Sequence, residues 1–274
     1  MPKITICVPQ WQVLEYIQPC LRSIRKHSAG EDVEVLVIDN GSKDESLDYL
    51  RSLSWIRLIE RPEEVHTNWP TNVFTAWDRG LTEATGEYYV TMHSDVFVKA
   101  DGWLRPLVRE LERSPEVAAS GTWKLEIENP FYAAQKRAVG LISAGLKRLV
   151  GQQRPVGIRQ GHYPRDFCAM YRRDILREHE LTFQCLFGNR GGGYSISRQL
   201  WERGYKMGLV PVREMARHIE HVAHGTAAVR GEKRLGHART QRKAETKVAD
   251  LFAEPWIQAL MTDASLDGPR KRAA

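Results

Sequence analysis

The stretch "YYVTMHSDVFV", residues 88–98, puts an imidazole and a carboxylate two residues apart at the end of an apolar, β-prone run. A buried, unpaired carboxylate costs several kcal/mol, so Asp95 needs a partner. A divalent cation is one answer, since hard cations take carboxylate oxygen and can in turn hold a diphosphate. A salt bridge to an arginine is the other. Two more polar groups carry possible chemistry. "DNGSKDES", residues 39–46, collects Asp39, Ser42 and Asp44. Taken alone it is a turn plus a helix cap; at a strand end, its carboxylates and backbone donors also suit a base and ribose. "HIEHVAHGT", residues 218–226, spaces His218, His221 and His224 three apart. On a helix the three would share a face; on a strand or irregular segment only one or two could reach a common metal. With no HExxH present, one imidazole recruited to a metal already held by Asp95 is favoured over a histidine-only site. A lone solvent-facing histidine is the alternative at each position.

The elements around these groups alternate. "KITICV" predicts a first strand, Lys3 to Val8, stopped by Pro9; "EYIQPCLRSIRKHS" has helical spacing, with Ile17, Leu21 and Ile24 on one face. Val33 to Ile38 reads as a second strand, apolar on both faces as central parallel strands are. A helix over "ESLDYLRSL", a strand in "WIRLIER", a helix over "NVFTAWDRGLTEA" and the "YYVTM" strand follow. Strict alternation up to residue 95 predicts an α/β fold with a mostly parallel sheet and helices on both faces. In such sheets ligands bind at the carboxyl ends of the strands, where all three polar groups fall. There is neither a GxGxxG after the first strand nor a GxxxxGK[ST] anywhere, which disfavours a dinucleotide fold and excludes a P-loop.

The order strand–"IDNGSKDES"–helix, followed by "AWDRGLTEATGEYYVTMHSD", resembles the family 2 nucleotide-sugar glycosyltransferases of GT-A fold. The resemblance covers residues 3–100 well and 165–226 loosely. "VPQWQ", with Pro9, stands where the family has P-x-aromatic-Asn, and Gln12 replaces the Asn; "ATGEY" matches A-x-G-E-Y, and "HSD" stands for Asp-x-Asp. The resemblance implies a nucleotide-diphosphate sugar as donor, Asp39 at the nucleotide base, and Pro9, Ser42 and Asp44 in the nucleotide-binding loops. It implies Mn²⁺ or Mg²⁺ on Asp95, His93 beside it, and His221 or His224 as a further ligand. An imidazole in place of the first Asp brings no negative charge, which favours Mn²⁺ over the harder Mg²⁺.

One departure bears on catalysis. Aligned on Gly204-Tyr205, the family's Glu-Asp pair falls at Gly192-Gly193, so its usual general base is missing. An inverting displacement needs a carboxylate to take the acceptor proton. Asp166 is the best substitute, at the start of a strand facing the same cleft; Glu178 and Glu180 are weaker choices. Retention of configuration, or an acceptor needing little deprotonation, are the alternatives. From another class come a non-catalytic nucleotide-sugar binder on the same scaffold and a nucleotidyltransferase, the latter disfavoured because "VPQWQVLEYI" lacks a glycine- and lysine/arginine-rich loop.

Bulk properties fit. The chain has 274 residues, 42% of them hydrophobic, with a formal charge of +6, and no apolar run approaches the ~20 residues of a membrane span. The expectation is a cytoplasmic protein with a transferase domain over residues 1–226 (nucleotide half 1–100, acceptor half 101–226) and a helical extension over 227–274 ending in a disordered basic tail, "DGPRKRAA". Cys7, Cys20, Cys168 and Cys185 show no CxxC spacing and read as reduced structural thiols. The charge suits an anionic ligand or surface, not nucleic acid, because no basic stripe with interleaved aromatics is present. The acceptor is expected to be a glycan, a lipid-linked molecule or a small molecule. Residues 131–150 form a basic amphipathic pattern, with Val139, Ile142, Leu146 and Leu149 on one side and Lys136, Arg137, Lys147 and Arg148 on another. A helix covering the domain's own core is favoured over one lying on the inner membrane face.

Overall fold

The computed structural model describes residues 3–63, 69–125, 162–222, 246 and 248–269. The segment 131–150, His224 and most of the basic tail therefore lie outside the described residues. Among the described residues nine strands are present: β1 (Ile4–Gln10), β2 (Val33–Asp39), β3 (Arg57–Glu60), β4 (Tyr88–Met92), β5 (Val96–Val98), β6 (Val117–Gly121), β7 (Cys168–Arg172), β8 (Lys206–Leu209) and β9 (Ile219–His221). The helices are α1 (Leu14–His27), α2 (Glu45–Ser52), α3 (Trp69–Glu83), α4 (Arg105–Leu111), α5 (Arg173–Glu178), α6 (Gly193–Glu202), α7 (Val212–His218) and α8 (Pro255–Thr262). Among the described residues, no helix is long and apolar enough to cross a membrane.

Seven strands form one sheet in the order β3-β2-β1-β4-β7-β6-β8. All run the same way except β7, which is antiparallel to both β4 and β6. The expected mostly parallel α/β sheet is thus present, with one reversed strand that apolar patterning does not reveal. β1 is buried at every position because both its faces are covered. Ile4, Ile6 and Val8 pack with α1, α4 and β5, while Cys7 on the other face meets Trp77 of α3 and the layer of α5 and α6. Strand order reverses between β1 and β4, the switch point at which open α/β sheets place their ligands.

Pro9 does not stop β1. The strand runs on to Gln10, with Pro9 opposite Ile38. In a parallel ladder, alternate residues address alternate neighbours. Gln10 O accepts from Asn40 N on the β2 side, so the missing N–H of Pro9 faces β4, whose pairing with β1 ends at Thr91. Proline costs no ladder bond there. β5 and β9 form a second, two-stranded sheet, Val96 opposite His221. These three-residue strands are too short for periodicity to announce.

The C-terminal region shares the main core. Ile257 and Leu260 of α8 are buried against α1. Asp267, expected in a disordered tail, instead accepts from Arg22 Nε and Tyr49 Oη, each at 2.9 Å, and Arg22 also donates to Leu260 O. The tail's first residues are ordered because they answer a guanidinium that is itself buried.

Gly86 joins α3 to β4 where backbones nearly touch: a Cβ there would lie 2.5 Å from Thr5 N and 2.9 Å from Lys3 O. Backbone in a central strand cannot give way. Gly86→Ala is expected to lower stability by about 1–3 kcal/mol, read as a reduced urea midpoint at unchanged m-value.

Candidate functional site

The carboxyl edge of the sheet assembles the site. β4 ends in a tight turn, Val96 N donating to His93 O at 3.2 Å, which throws the chain out of the main sheet and into β5. His93 N donates to Phe167 O at 3.0 Å, so the turn is pinned to the segment leading into reversed β7. Pairing of β9 with β5 then delivers His221 beside the turn, and Val222 N donates to Asp95 O. The ligating atoms of His93, Asp95 and His221 all lie within 4.8 Å of one another.

Asp95 is 7% exposed. Its Oδ1 has His221 Nε2 at 3.4 Å and His93 Nδ1 at 3.8 Å, but no well-aligned hydrogen bond ends on it among the described residues. No arginine or lysine answers it there; the salt bridge weighed from the sequence is absent among the described residues, and imidazoles take its place. Burial pushes the Asp95 carboxyl up, yet the two imidazoles outweigh burial and its pKa falls below the ordinary carboxylate value. Burial pulls the His93 imidazole down despite Asp95 and Asp166 nearby, so it stays in the neutral, ligating form. His93 Nε2 is also buried without a hydrogen-bond partner among the described residues. Aromatic rings hold both imidazoles: Trp77 stacks on His93 at 5.5 Å and Phe167 on His221 at 4.7 Å. A buried anionic oxygen with two oriented imidazoles is a donor set that fits a divalent cation, and two nitrogens suit Mn²⁺ better than Mg²⁺.

His218 does not join this group. It closes α7, its backbone carbonyl accepting from Lys99 N, whereas His221 lies on β9. The three-residue spacing spans a helix-to-strand junction, so neither single geometry applied to the whole segment.

Asp39, at the end of β2, accepts through Oδ2 from Gly41 N at 3.0 Å and Ser42 N at 2.9 Å. Its Oδ1 is buried with no partner among the described residues, and burial raises its pKa despite those bonds. Ser42 and Asp44 face the protein instead. Ser42 Oγ accepts from Gln12 N at 2.7 Å, and Asp44 Oδ2 from Val13 N at 2.9 Å, while Asp44 Oδ1 caps α2. Gln12 and Val13 have φ of 52° and 65°, left-handed values that a β-branched residue rarely adopts. The turn-and-cap role of "DNGSKDES" is thus present, and it clamps a strained β1–α1 loop beside Pro9.

Asp166 lies just before β7; because that strand is reversed, its start shares an edge with the ends of the parallel strands. Asp166 Oδ2 accepts from Gly193 N at 3.0 Å, in the first turn of α6. Gly192 has φ +62° and ψ −137°, and a Cβ on it would sit 2.4 Å from Asp166 Oδ2. The carboxylate and the Gly192-Gly193 pair are complementary: a side chain at 192 would occupy the space that Asp166 fills. Glu178 ends α5 and Glu180 follows it, both exposed at the opposite edge of the sheet, so neither reaches the site.

With this geometry in place, a profile of glycosyl transferase family 2 matches residues 5–180, and the chain belongs to that family. It is 23% identical over 222 residues to an uncharacterized glycosyltransferase of Haemophilus influenzae, covering 76% of this chain and 62% of that protein. To a PGL/p-HBAD biosynthesis glycosyltransferase of Mycobacterium tuberculosis it is 32% identical over 94 residues, 34% of this chain and 36% of that one. The chain thus spans less than two thirds of the length of these relatives. Among solved structures, a mannosyltransferase from Pyrobaculum calidifontis in complex with GDP-Man and Mn²⁺ is similar at TM-score 0.54 and 20% identity, over 98% of this chain and 76% of that one. TarS of Staphylococcus aureus is similar at TM-score 0.52 and 12% identity, over 96% and 46%. The fold is that of the GT-A glycosyltransferases.

Asp44→Ala removes the α2 cap and orphans the Val13 amide. A loss of about 1–3 kcal/mol is expected in urea denaturation, larger than for Ser42→Ala, which orphans the Gln12 amide but removes no helix cap.

Proposed function

We propose that the chain is a glycosyltransferase that moves a sugar from a nucleotide-diphosphate donor to an acceptor hydroxyl or amine with the help of Mn²⁺ or Mg²⁺. The observation that carries this reading is the His93–Asp95–His221 group, closed around a buried carboxylate oxygen at the sheet's switch point. The complex of the Pyrobaculum mannosyltransferase with GDP-Man and Mn²⁺ is consistent with such a role on this fold.

His93, Asp95 and His221 would hold the cation, which when bound supplies positive charge to the leaving diphosphate. The unpartnered Oδ1 of Asp39 is an acceptor for a ring N–H of the base, and its desolvation makes an unpaired base costly. Ser42 and Asp44 act on the nucleotide through the β1–α1 loop that they clamp. Asp166 takes the acceptor proton as the acceptor oxygen or nitrogen bonds to the anomeric carbon; the bond from that carbon to the diphosphate breaks, and its electron pair leaves with the nucleoside diphosphate. Glycine at 192 and 193 makes room for this carboxylate. A non-catalytic binder is the reading that the missing Glu-Asp would favour, and Asp166 is what speaks against it.

Titration with UDP, GDP, dTDP and CDP, with Mn²⁺ and with EDTA, is expected to show tight, metal-dependent binding of one nucleotide that Asp95→Ala abolishes. Asp166→Asn is expected to keep that affinity and lower kcat by about 10²–10⁴-fold. Unchanged turnover in Asp166→Asn removes the base assignment; indifference of every nucleotide to metal and to Asp95 removes the reading as a whole.

A further inference from the structure

Several charged and aromatic side chains gather beside Asp166. Tyr163 is buried and meets Tyr194 edge-on, ring centroids 5.5 Å apart. The Arg165 guanidinium lies 4.7 Å over the Tyr163 ring, donates to Tyr163 Oη at 2.8 Å and reaches Trp123 O through Nε. Arg190, from the loop before α6, lies 5.2 Å over the Tyr194 ring. Further along the same rim, Lys124 lies 4.3 Å over Trp123. Arg165 thus lies over one ring of the Tyr163–Tyr194 pair and Arg190 over the other, and Asp166, next to Arg165 in the chain, accepts from Gly193 N beside Tyr194.

Exposed arginines are ordinary; these two are not arranged ordinarily. Neither forms an ion pair among the described residues. Each is held over an aromatic ring, which fixes the guanidinium while leaving N–H donors unspent: Arg165 uses Nε and one Nη and keeps the other. They come from separate segments, one over each ring of the Tyr163–Tyr194 pair. A neutral sugar acceptor would use the ring edges and leave both charges idle. A carboxylate offers two oxygens to two forks, whereas a phosphate offers three and accepts from both at once.

We propose that Arg165 and Arg190 form an acceptor subsite for phosphate, so that the acceptor is a phosphate-bearing alcohol whose hydroxyl is presented to Asp166. The subsite stands on the arginine–tyrosine geometry; the role of its ligand as acceptor rests on the transferase reading above. A soluble polyol phosphate and a phosphate-headgroup lipid share this chemistry.

The test uses the full chain with Mn²⁺ and the nucleoside diphosphate that binds best. Glycerol phosphate is compared with glycerol by calorimetry, and phosphatidic acid vesicles with phosphatidylcholine vesicles by flotation. Each comparison is made for wild type, R165Q/R190Q and R190Q alone, the last because the exposed Arg190 side chain makes no hydrogen bond among the described residues. Glycerol phosphate or phosphatidic acid is expected to bind wild type, to bind at least tenfold more weakly in the double variant and several-fold more weakly in R190Q, with nucleoside diphosphate affinity changed less than twofold. Binding of glycerol phosphate assigns a soluble acceptor; binding of phosphatidic acid vesicles alone assigns a lipid one. Equal affinity for glycerol and glycerol phosphate with no preference between the vesicles, or affinities untouched by the variants, overturns the proposal. A nucleoside diphosphate that weakens in the variants also overturns it, by placing the arginines on the donor. Arginine-dependent phosphate binding in a chain that binds no nucleoside diphosphate would keep the anion subsite and sink the transferase reading instead.

Discussion

A carboxylate buried with no guanidinium or ammonium partner among the described residues is the constraint around which this molecule is arranged. Asp95 leaves the main sheet in a tight turn, at a depth where an uncompensated charge costs several kcal/mol. Its neighbours are the imidazoles of His221 and His93, which lower its pKa against the effect of burial. The surrounding elements serve this one contact. β5 and β9 pair for three residues and thereby bring His221 across from a segment more than a hundred residues away. Trp77 and Phe167 each press on one imidazole. Reversal of β7 brings Phe167 and Asp166 to the same edge. Fixed rings with fixed lone pairs are what a pre-organised cation site requires, since the ordering entropy is met in folding and not in binding.

The neighbouring loop stores strain for the same edge of the sheet. Gln12 and Val13 hold left-handed backbone conformations that the β1–α1 sequence would not choose alone, and Ser42 and Asp44 reach across to hold them. Two consecutive loops are thus one unit, and Asp39 sits between them with one oxygen spent on the turn and the other facing no partner among the described residues. Strain is held there by hydrogen bonds from a rigid scaffold, as at many ligand-binding turns.

Much of this was legible in the residues. Apolar runs at Ile4–Val8, Val33–Ile38 and Tyr88–Met92 are too continuous for half-exposed strands, and their alternation with helical spacing gives the parallel core. Direction was not legible: β7 is apolar like its parallel neighbours, and burial on both faces does not encode polarity of the chain. Pro9 misled because the ladder bond it cannot make is one its position never needed. His218 and His221 could not be separated by spacing, since a helix ends between them. Ser42 and Asp44 were drawn toward the nucleotide by their place after a strand, whereas their oxygens are engaged by the protein's own amides. Asp166 drew attention because the Gly192-Gly193 pair left a carboxylate missing, and the structure sets its side chain against that pair. The arginines and tyrosines around it carry no linear signal, because they meet only when the segment before β7 and the loop before α6 fold onto the same rim.

The most direct measurement is pulsed electron paramagnetic resonance of Mn²⁺ bound to the full chain, which detects nitrogen nuclei coupled to the metal. Wild type is predicted to show nitrogen modulation from imidazole, reduced in His93→Ala and in His221→Ala, with Mn²⁺ binding itself lost in Asp95→Ala. Mn²⁺ bound with no nitrogen coupling, or bound equally well without Asp95, would contradict the assignment of this cluster as the cation site.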